Sequence, residues 1–210
     1  MIDRLENASE LDWLRRRKDE AVAALFARYQ DKLVRMITFR LDGRILGKVD
    51  AEDVLQDAFV EASRRIQDYL DRPTVPFFVW LRQITSQVLI DIHRRYLGTR
   101  MRDVNLEVAL DRAGSAATSS AFLAAQLADS LTTPSQVAVR EETLLELKTA
   151  LEKLDPIDRE VLILRHLEEL SNNEVAQILG IDRFAASKRY LRALERLRNA
   201  MAVLQGEPRR

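Results

Sequence analysis

Apolar residues recur along most of this chain at intervals of three and four, the spacing that lines up one face of an α-helix. From about Glu20 to Leu41 the set Val22, Leu25, Phe26, Tyr29, Leu33, Ile37 and Leu41 predicts an amphipathic helix, closed by Asp42-Gly43. Asp50-Ala51-Glu52-Asp53 opens a second helix with a capping residue and acids in the first turn, and Val54, Leu55, Ala58, Phe59, Ala62 and Ile66 form its stripe. A loop from about Asp68 to Pro76, carrying Pro73 and Pro76, breaks the pattern. The third helix, roughly Phe77 to Tyr96, is predicted to bury Phe77, Trp80, Leu81, Ile84, Val88, Leu89 and Ile92. Its other side then carries Arg82, Gln83, Thr85, Gln87, Asp91, His93, Arg94 and Arg95. Ahead of these helices, residues 1–18 place Leu5, Leu11, Trp13 and Leu14 among charges and predict a short helix or a partly ordered arm.

Between Leu97 and Ser135 the composition shifts to Ala, Ser, Thr and Gly without a sustained period. Gly114 to Ser120 is the most open run, and Phe122 to Leu131 can form a transient helix. This reads as a flexible linker spanning about 30–37 Å as a coil. Helical spacing resumes at Gln136 with Val139, Leu144, Leu147 and Leu151. The predicted fold is therefore all-α: an arm over 1–19, a helical domain over 20–97, a linker over 98–135 and a second helical domain over 136–204.

The second domain contains the best-defined local signals. Asp155 caps a helix whose first position is Pro156, where a missing N–H costs nothing, and Asp158 can meet the orphan N–H groups of the first turn. Ser171-Asn172-Asn173-Glu174 is a capping box for a short helix carrying Val175, Ile178 and Leu179, which stops at Gly180. Asp182 caps a third helix in which Ala186, Tyr190, Ala193, Leu194 and Leu197 share one stripe. The remainder of that helix presents Arg183, Ser187, Lys188, Arg189, Arg192, Arg196 and Arg198 against one acid, Glu195. Short helix, tight turn and basic helix make a helix-turn-helix whose last element suits the major groove.

Charge changes the picture only through its distribution, because 33 Lys plus Arg balance 33 Asp plus Glu. The absence of cysteine excludes disulfides and thiolate metal sites and fits a reducing cytoplasm. Two histidines and six glycines leave little material for a zinc site or a phosphate-cradling loop. No apolar run approaches the roughly 18–20 residues of a membrane span, and the first residues lack a signal peptide's apolar core. The expectation is a cytoplasmic protein without cofactor or metal. An enzyme would need a catalytic constellation, and the one acidic cluster, Asp50, Glu52, Asp53 and Asp57, sits on helix positions that diverge.

These segments, in this order, resemble the extracytoplasmic-function group of the sigma-70 family of bacterial RNA polymerase initiation factors. The resemblance covers about 20–97 and 136–200. Asp50 to Phe59 resembles the polymerase-binding segment of that family. Trp80-Leu81-Arg82-Gln83-Ile84 and Asp91-Ile92-His93-Arg94-Arg95 resemble its promoter-melting and minus-ten-reading helix. Leu154 to Arg165, Leu170-Ser171, Glu174-Val175-Ala176, Leu179-Gly180-Ile181 and Arg189 to Arg198 resemble its minus-thirty-five-reading domain. The usual Ala-Val-Lys-Ser-Arg-Leu run appears here as Ala185-Ala186-Ser187-Lys188-Arg189-Tyr190. The base-reading side chains therefore need not follow the common pattern.

What the resemblance implies is a factor that binds core RNA polymerase and promoter DNA, often under an anti-sigma inhibitor. Glu52, Asp53, Leu55, Gln56, Asp57 and Phe59 would dock on polymerase. Arg82, Gln83, Gln87, Arg94 and Arg95 would meet the minus-ten element, with the 68–76 loop as a base pocket. Arg183, Ser187, Lys188, Arg189, Arg192 and Arg196 would hold upstream duplex, with Ser187, Lys188 and Arg192 nearest the bases. Trp80 and Phe77 lie on the apolar stripe and are expected in the core; His93 is expected exposed or capping. The alternative is a helix-turn-helix repressor or activator that dimerises on a palindromic operator without polymerase.

Overall fold

Apolar faces at helical spacing have to be covered, and the chain covers them in two separate units, Met1–Asp103 and Val104–Arg210. The computed structural model describes residues 2–97, 123–124 and 137–204. The predicted linker therefore lies almost wholly outside the described residues, apart from Leu123 and Ala124, which are helical and buried.

Among the described residues of the first unit are four helices, α1 (Ile2–Arg16), α2 (Lys18–Arg40), α3 (Ala51–Asp71) and α4 (Phe77–Leu97), with a 3-10 turn at Gly43–Ile45. Each of α2, α3 and α4 packs on the other two, and α1 packs on all three. The segment predicted as a helix or an arm is thus a docked helix. Leu14 is fully buried. One carboxylate oxygen of the buried Glu10 accepts from the Tyr29 hydroxyl at 2.6 Å and from Arg28 Nη1 at 3.1 Å. The predicted cap of α3 is present in both directions: Asp53 N–H donates to Asp50 Oδ1 at 2.9 Å, and Asp50 N–H donates to Asp53 Oδ2 at 3.2 Å. Ahead of α4, the Tyr69 hydroxyl donates to the Val75 carbonyl at 3.0 Å and holds the 72–76 loop against the end of α3. Burial, with the nearby charge of Glu10, pushes the Tyr69 phenol up to about 12, so it stays a neutral donor.

The α4 helix corrects the single-stripe expectation. Arg82, Thr85 and His93, predicted on the exposed side, are all buried, with Arg82 only 2% exposed. Neighbouring helices on more than one side widen the buried arc beyond one stripe. His93 Nε2 accepts the N–H of Asp42 at 3.1 Å, just past the extended C-cap Leu41 of α2. Asp42 in turn accepts from Arg44 Nε and Nη2 at 2.9 and 2.7 Å, and this guanidinium holds its carboxyl down at about 2. Burial pushes the His93 imidazole below its ordinary 6.5, against the pull of Asp42 and with that of Arg44. A depressed imidazole keeps its stabilising neutral form above pH 6.5, and stability falls as pH drops below that value because the unfolded chain takes up the proton first. Both tryptophans, Trp13 and Trp80, belong to this unit, so their fluorescence follows its unfolding alone. His93→Gln, which keeps an acceptor for Asp42 N–H but cannot titrate, is expected to flatten the fall in melting temperature between about pH 7 and 5. An unchanged fall would remove His93 as its cause.

The second unit contains α5 (Val137–Glu152), α6 (Pro156–His166), α7 (Asn172–Leu179) and α8 (Arg183–Leu204). The long α8 packs on the other three. Sequence-predicted caps are in place at every junction. Ile157 N–H donates to Asp155 Oδ1 at 3.0 Å. Glu174 N–H donates to Ser171 Oγ at 3.3 Å, while Ser171 N–H donates to Glu174 Oε2 at 2.7 Å. Gly180 takes φ 64°, a left-handed conformation that turns α7 toward α8 with little strain for glycine alone. Arg159 closes α5 by donating to the carbonyls of Leu151, Glu152 and Leu154 at 2.9, 3.1 and 3.3 Å.

Candidate nucleic-acid interface

The seat of α8 on α6 determines what α8 can present. Ala186, Ala193 and Leu197 are buried along its inner face, with Tyr190 and Leu194 half-buried beside them. Small alanines let the two helix backbones approach closely. Asp158, expected to serve the first turn of α6, is instead sealed beneath α8, with its side chain 1% exposed. Its Oδ1 accepts from Arg189 Nη1 at 3.2 Å and its Oδ2 from Arg196 Nη1 at 2.5 Å. Residues 189 and 196 stand two turns apart on one side of α8, so one carboxylate holds both. A second tie lies on the same helix pair: Arg165 stacks over the Tyr190 ring at 5.4 Å and donates to the Leu170 carbonyl. The Tyr190 hydroxyl lies 3.2 Å from His166 Nε2, and burial, then the charge of Arg165, pushes that imidazole down.

The cations of α8 therefore differ in what they meet. Arg189 and Arg196 give a guanidinium nitrogen inward to Asp158, and Ser187 Oγ accepts from Asn172 Nδ2 at 2.9 Å. Arg183, Lys188, Arg192 and Arg198 are exposed. The acid that balances two of the arginines comes from a different helix, 31 and 38 residues away, and no reading of α8 by itself could supply it.

In the first unit, Gln83, Gln87, Arg94 and Arg95 on α4 are exposed, whereas the buried Arg82 does not reach the surface with them. Gln87 and Arg94 both lean on Asp91, at 3.3 and 3.7 Å. Trp80 is half-exposed at the loop end of α4, stacked on Tyr69 with ring centroids 4.8 Å apart and beside Phe77 at 5.5 Å. Phe77 is buried, as expected of the stripe, while Trp80 is only half-buried. On α3, Glu52, Asp53, Gln56 and Asp57 are exposed. Leu55 is buried, and Phe59 is half-buried with its ring edge-on to Phe26 at 5.0 Å, so these two support the acidic face from below. Among the described residues no group of His, Cys, Asp or Glu could hold a metal ion, and no helix is long and apolar enough to cross a membrane.

A helix-turn-helix with an exposed cationic edge, paired in one chain with a helical unit that combines an acidic helix face and an aromatic cluster under a loop, defines a class of DNA-reading transcription protein. Comparison with known proteins makes this specific. The sigma-70 region 2 family model matches residues 25–97 and the sigma-70 region 4 model residues 144–197. The RNA polymerase sigma factor CnrH of Cupriavidus metallidurans is 31% identical over 151 residues, covering 71% of this chain and 72% of CnrH. The ECF RNA polymerase sigma factor SigW of Bacillus subtilis is 29% identical over 187 residues, covering 88% of this chain and 91% of SigW. SigE of Mycolicibacterium smegmatis is 27% identical over 215 residues, covering 97% of this chain and 76% of SigE. The chain belongs to the extracytoplasmic-function group of the sigma-70 family. It is an RNA polymerase sigma factor, and it directs promoter-specific transcription.

Proposed function

We propose that the two units divide promoter-directed initiation between them. The first docks on core RNA polymerase through the exposed acids of α3 and engages the minus-ten element through Gln83, Gln87, Arg94, Arg95 and the loop beside Trp80. The second holds the upstream duplex through the outer side of α8. Lys188 and Arg192 reach base edges, Arg183 and Arg198 hold phosphates, and Arg189 and Arg196 act mainly by fixing α8 on Asp158. The chain performs no covalent chemistry; it works in the cytoplasm, where the polymerase supplies catalysis. The observation that carries this reading is the basic surface of α8, on which Asp158 engages Arg189 and Arg196 while Arg183, Lys188, Arg192 and Arg198 are exposed.

Two substitutions test the division. Arg183→Ala is expected to lower the slope of log affinity against log salt by about one unit with no change in sequence preference, because it removes one phosphate contact. Arg192→Ala is expected to relax preference at one base pair by about 1–3 kcal/mol with a smaller effect on the slope. Promoter-complex formation by the full chain with core polymerase, measured over a salt series on matched and single-mismatch fragments, reads both. The reverse pattern would exchange the two roles.

A further inference from the structure

The outer side of α8 is not purely polar. Phe184 is 80% exposed and Leu191 63% exposed. They stand seven residues apart, two helical turns, with Lys188 between them on the same stripe. Each precedes a buried residue, Ala186 or Ala193, by two positions. At about 100° per residue, both therefore project from the side opposite the α6 contact. Phe184 lies in the first turn, where Asp182 Oδ1 accepts the N–H groups of Phe184 and Ala185 at 2.8 and 2.9 Å and fixes where the helix starts. A ring held in this position adds little to the core of its own unit. Of the exposed charged side chains near it, Arg183 and Lys188 are cationic and Asp182 is engaged in capping the helix, which suits a polyanion better than an apolar protein surface.

We propose that Phe184 is a specificity-determining residue of the upstream DNA contact, its ring packing on the 5-methyl group of a thymine in the major groove. The early residues of a recognition helix are those that meet base edges, and the thymine methyl is the apolar feature displayed there. The proposal rests on the assignment of α8 to upstream duplex, and its test separates the two.

The full chain with core polymerase is assembled on a promoter fragment recovered through its own transcription, and each upstream thymine is replaced in turn by deoxyuridine, which deletes only the methyl. Wild-type chain is expected to show a thymine at which this replacement weakens the complex about fourfold, the contribution of one buried methyl. Phe184→Ala is expected to bind the thymine fragment more weakly and to lose the methyl effect at that position alone. Phe184→Leu, smaller but apolar, is expected to recover part of it. Because the residue is exposed, helix content should be unchanged in both variants. A wild-type scan without any methyl-sensitive thymine overturns the proposal, as does undiminished methyl sensitivity in Phe184→Ala, even if that variant is weaker throughout. Wild-type chain that forms no promoter complex with core polymerase overturns the assignment of α8, and this proposal with it.

Discussion

Asp158→Ala is expected to destabilise the second unit by about 2–3 kcal/mol and to reduce promoter-complex formation more than tenfold. Removing one side of a buried ion pair costs about 3–5 kcal/mol when the other side is left stranded. Here the stranded groups are Arg189 and Arg196, whose side chains are 30% and 51% exposed and can turn partly to water, so the cost falls to the low end of that range or below it. Against a total stability of about 5–15 kcal/mol for a domain, this is a large share. The functional loss follows from geometry: without the carboxylate α8 keeps its alanine seam but loses the tie that fixes its rotation. Asp158→Asn, which keeps an acceptor and loses the charge, should fall between. Circular dichroism reads the whole chain during heating, and the tryptophan signal, confined to the first unit, should not move. A shift in the tryptophan transition, or wild-type melting of Asp158→Ala, would contradict the clamp.

Reversing the charge of the exposed α3 acids, as Glu52→Lys with Asp57→Lys, is expected to weaken binding to core polymerase at least about 100-fold while leaving the first unit folded. Like charges brought together across an interface cost several kcal/mol, and 100-fold corresponds to about 2.7 kcal/mol. Asp50 and Asp53 are left in place, so the capping box that starts α3 survives. Loss of one acid from the first turn costs only about 0.3–1 kcal/mol. Titrating labelled chain with core polymerase measures the affinity, and tryptophan fluorescence verifies the fold. Equal affinity of variant and wild type would place the docking surface elsewhere.

The local starts and stops of helices were legible in the sequence because they are made by neighbours. Asp50 with Asp53, Asp155 before Pro156, Ser171 with Glu174, Gly180 and Asp182 all act within a few residues of themselves. What escaped the sequence depends on contacts between distant positions. Periodicity assigns α4 one buried stripe, but three helices surround it, so Arg82, Thr85 and His93 are enclosed as well. Asp158 reads as a first-turn acid because its two arginines are a full helix-turn-helix away. The docking of α1 rests on Glu10 meeting Arg28 and Tyr29, whose side chains carry no local sign of that partner. The resemblance places Leu55 in the docking segment, yet it belongs to the apolar stripe that runs along every turn of α3 and is buried with it. Phe184 escaped notice for the opposite reason: an apolar residue outside the stripe looks incidental until the outer face is seen to hold it beside Arg183 and Lys188.

Run-off transcription from genomic fragments of the native host, with core polymerase alone, the chain alone and the two together, tests the central claim most directly. The expected result is transcripts that start at discrete promoters only when both are present, with the chain alone showing weak DNA binding because its net charge is zero. Stable dimers binding a palindromic site tightly without polymerase, and no new transcript from any fragment in the combined reaction, would contradict it.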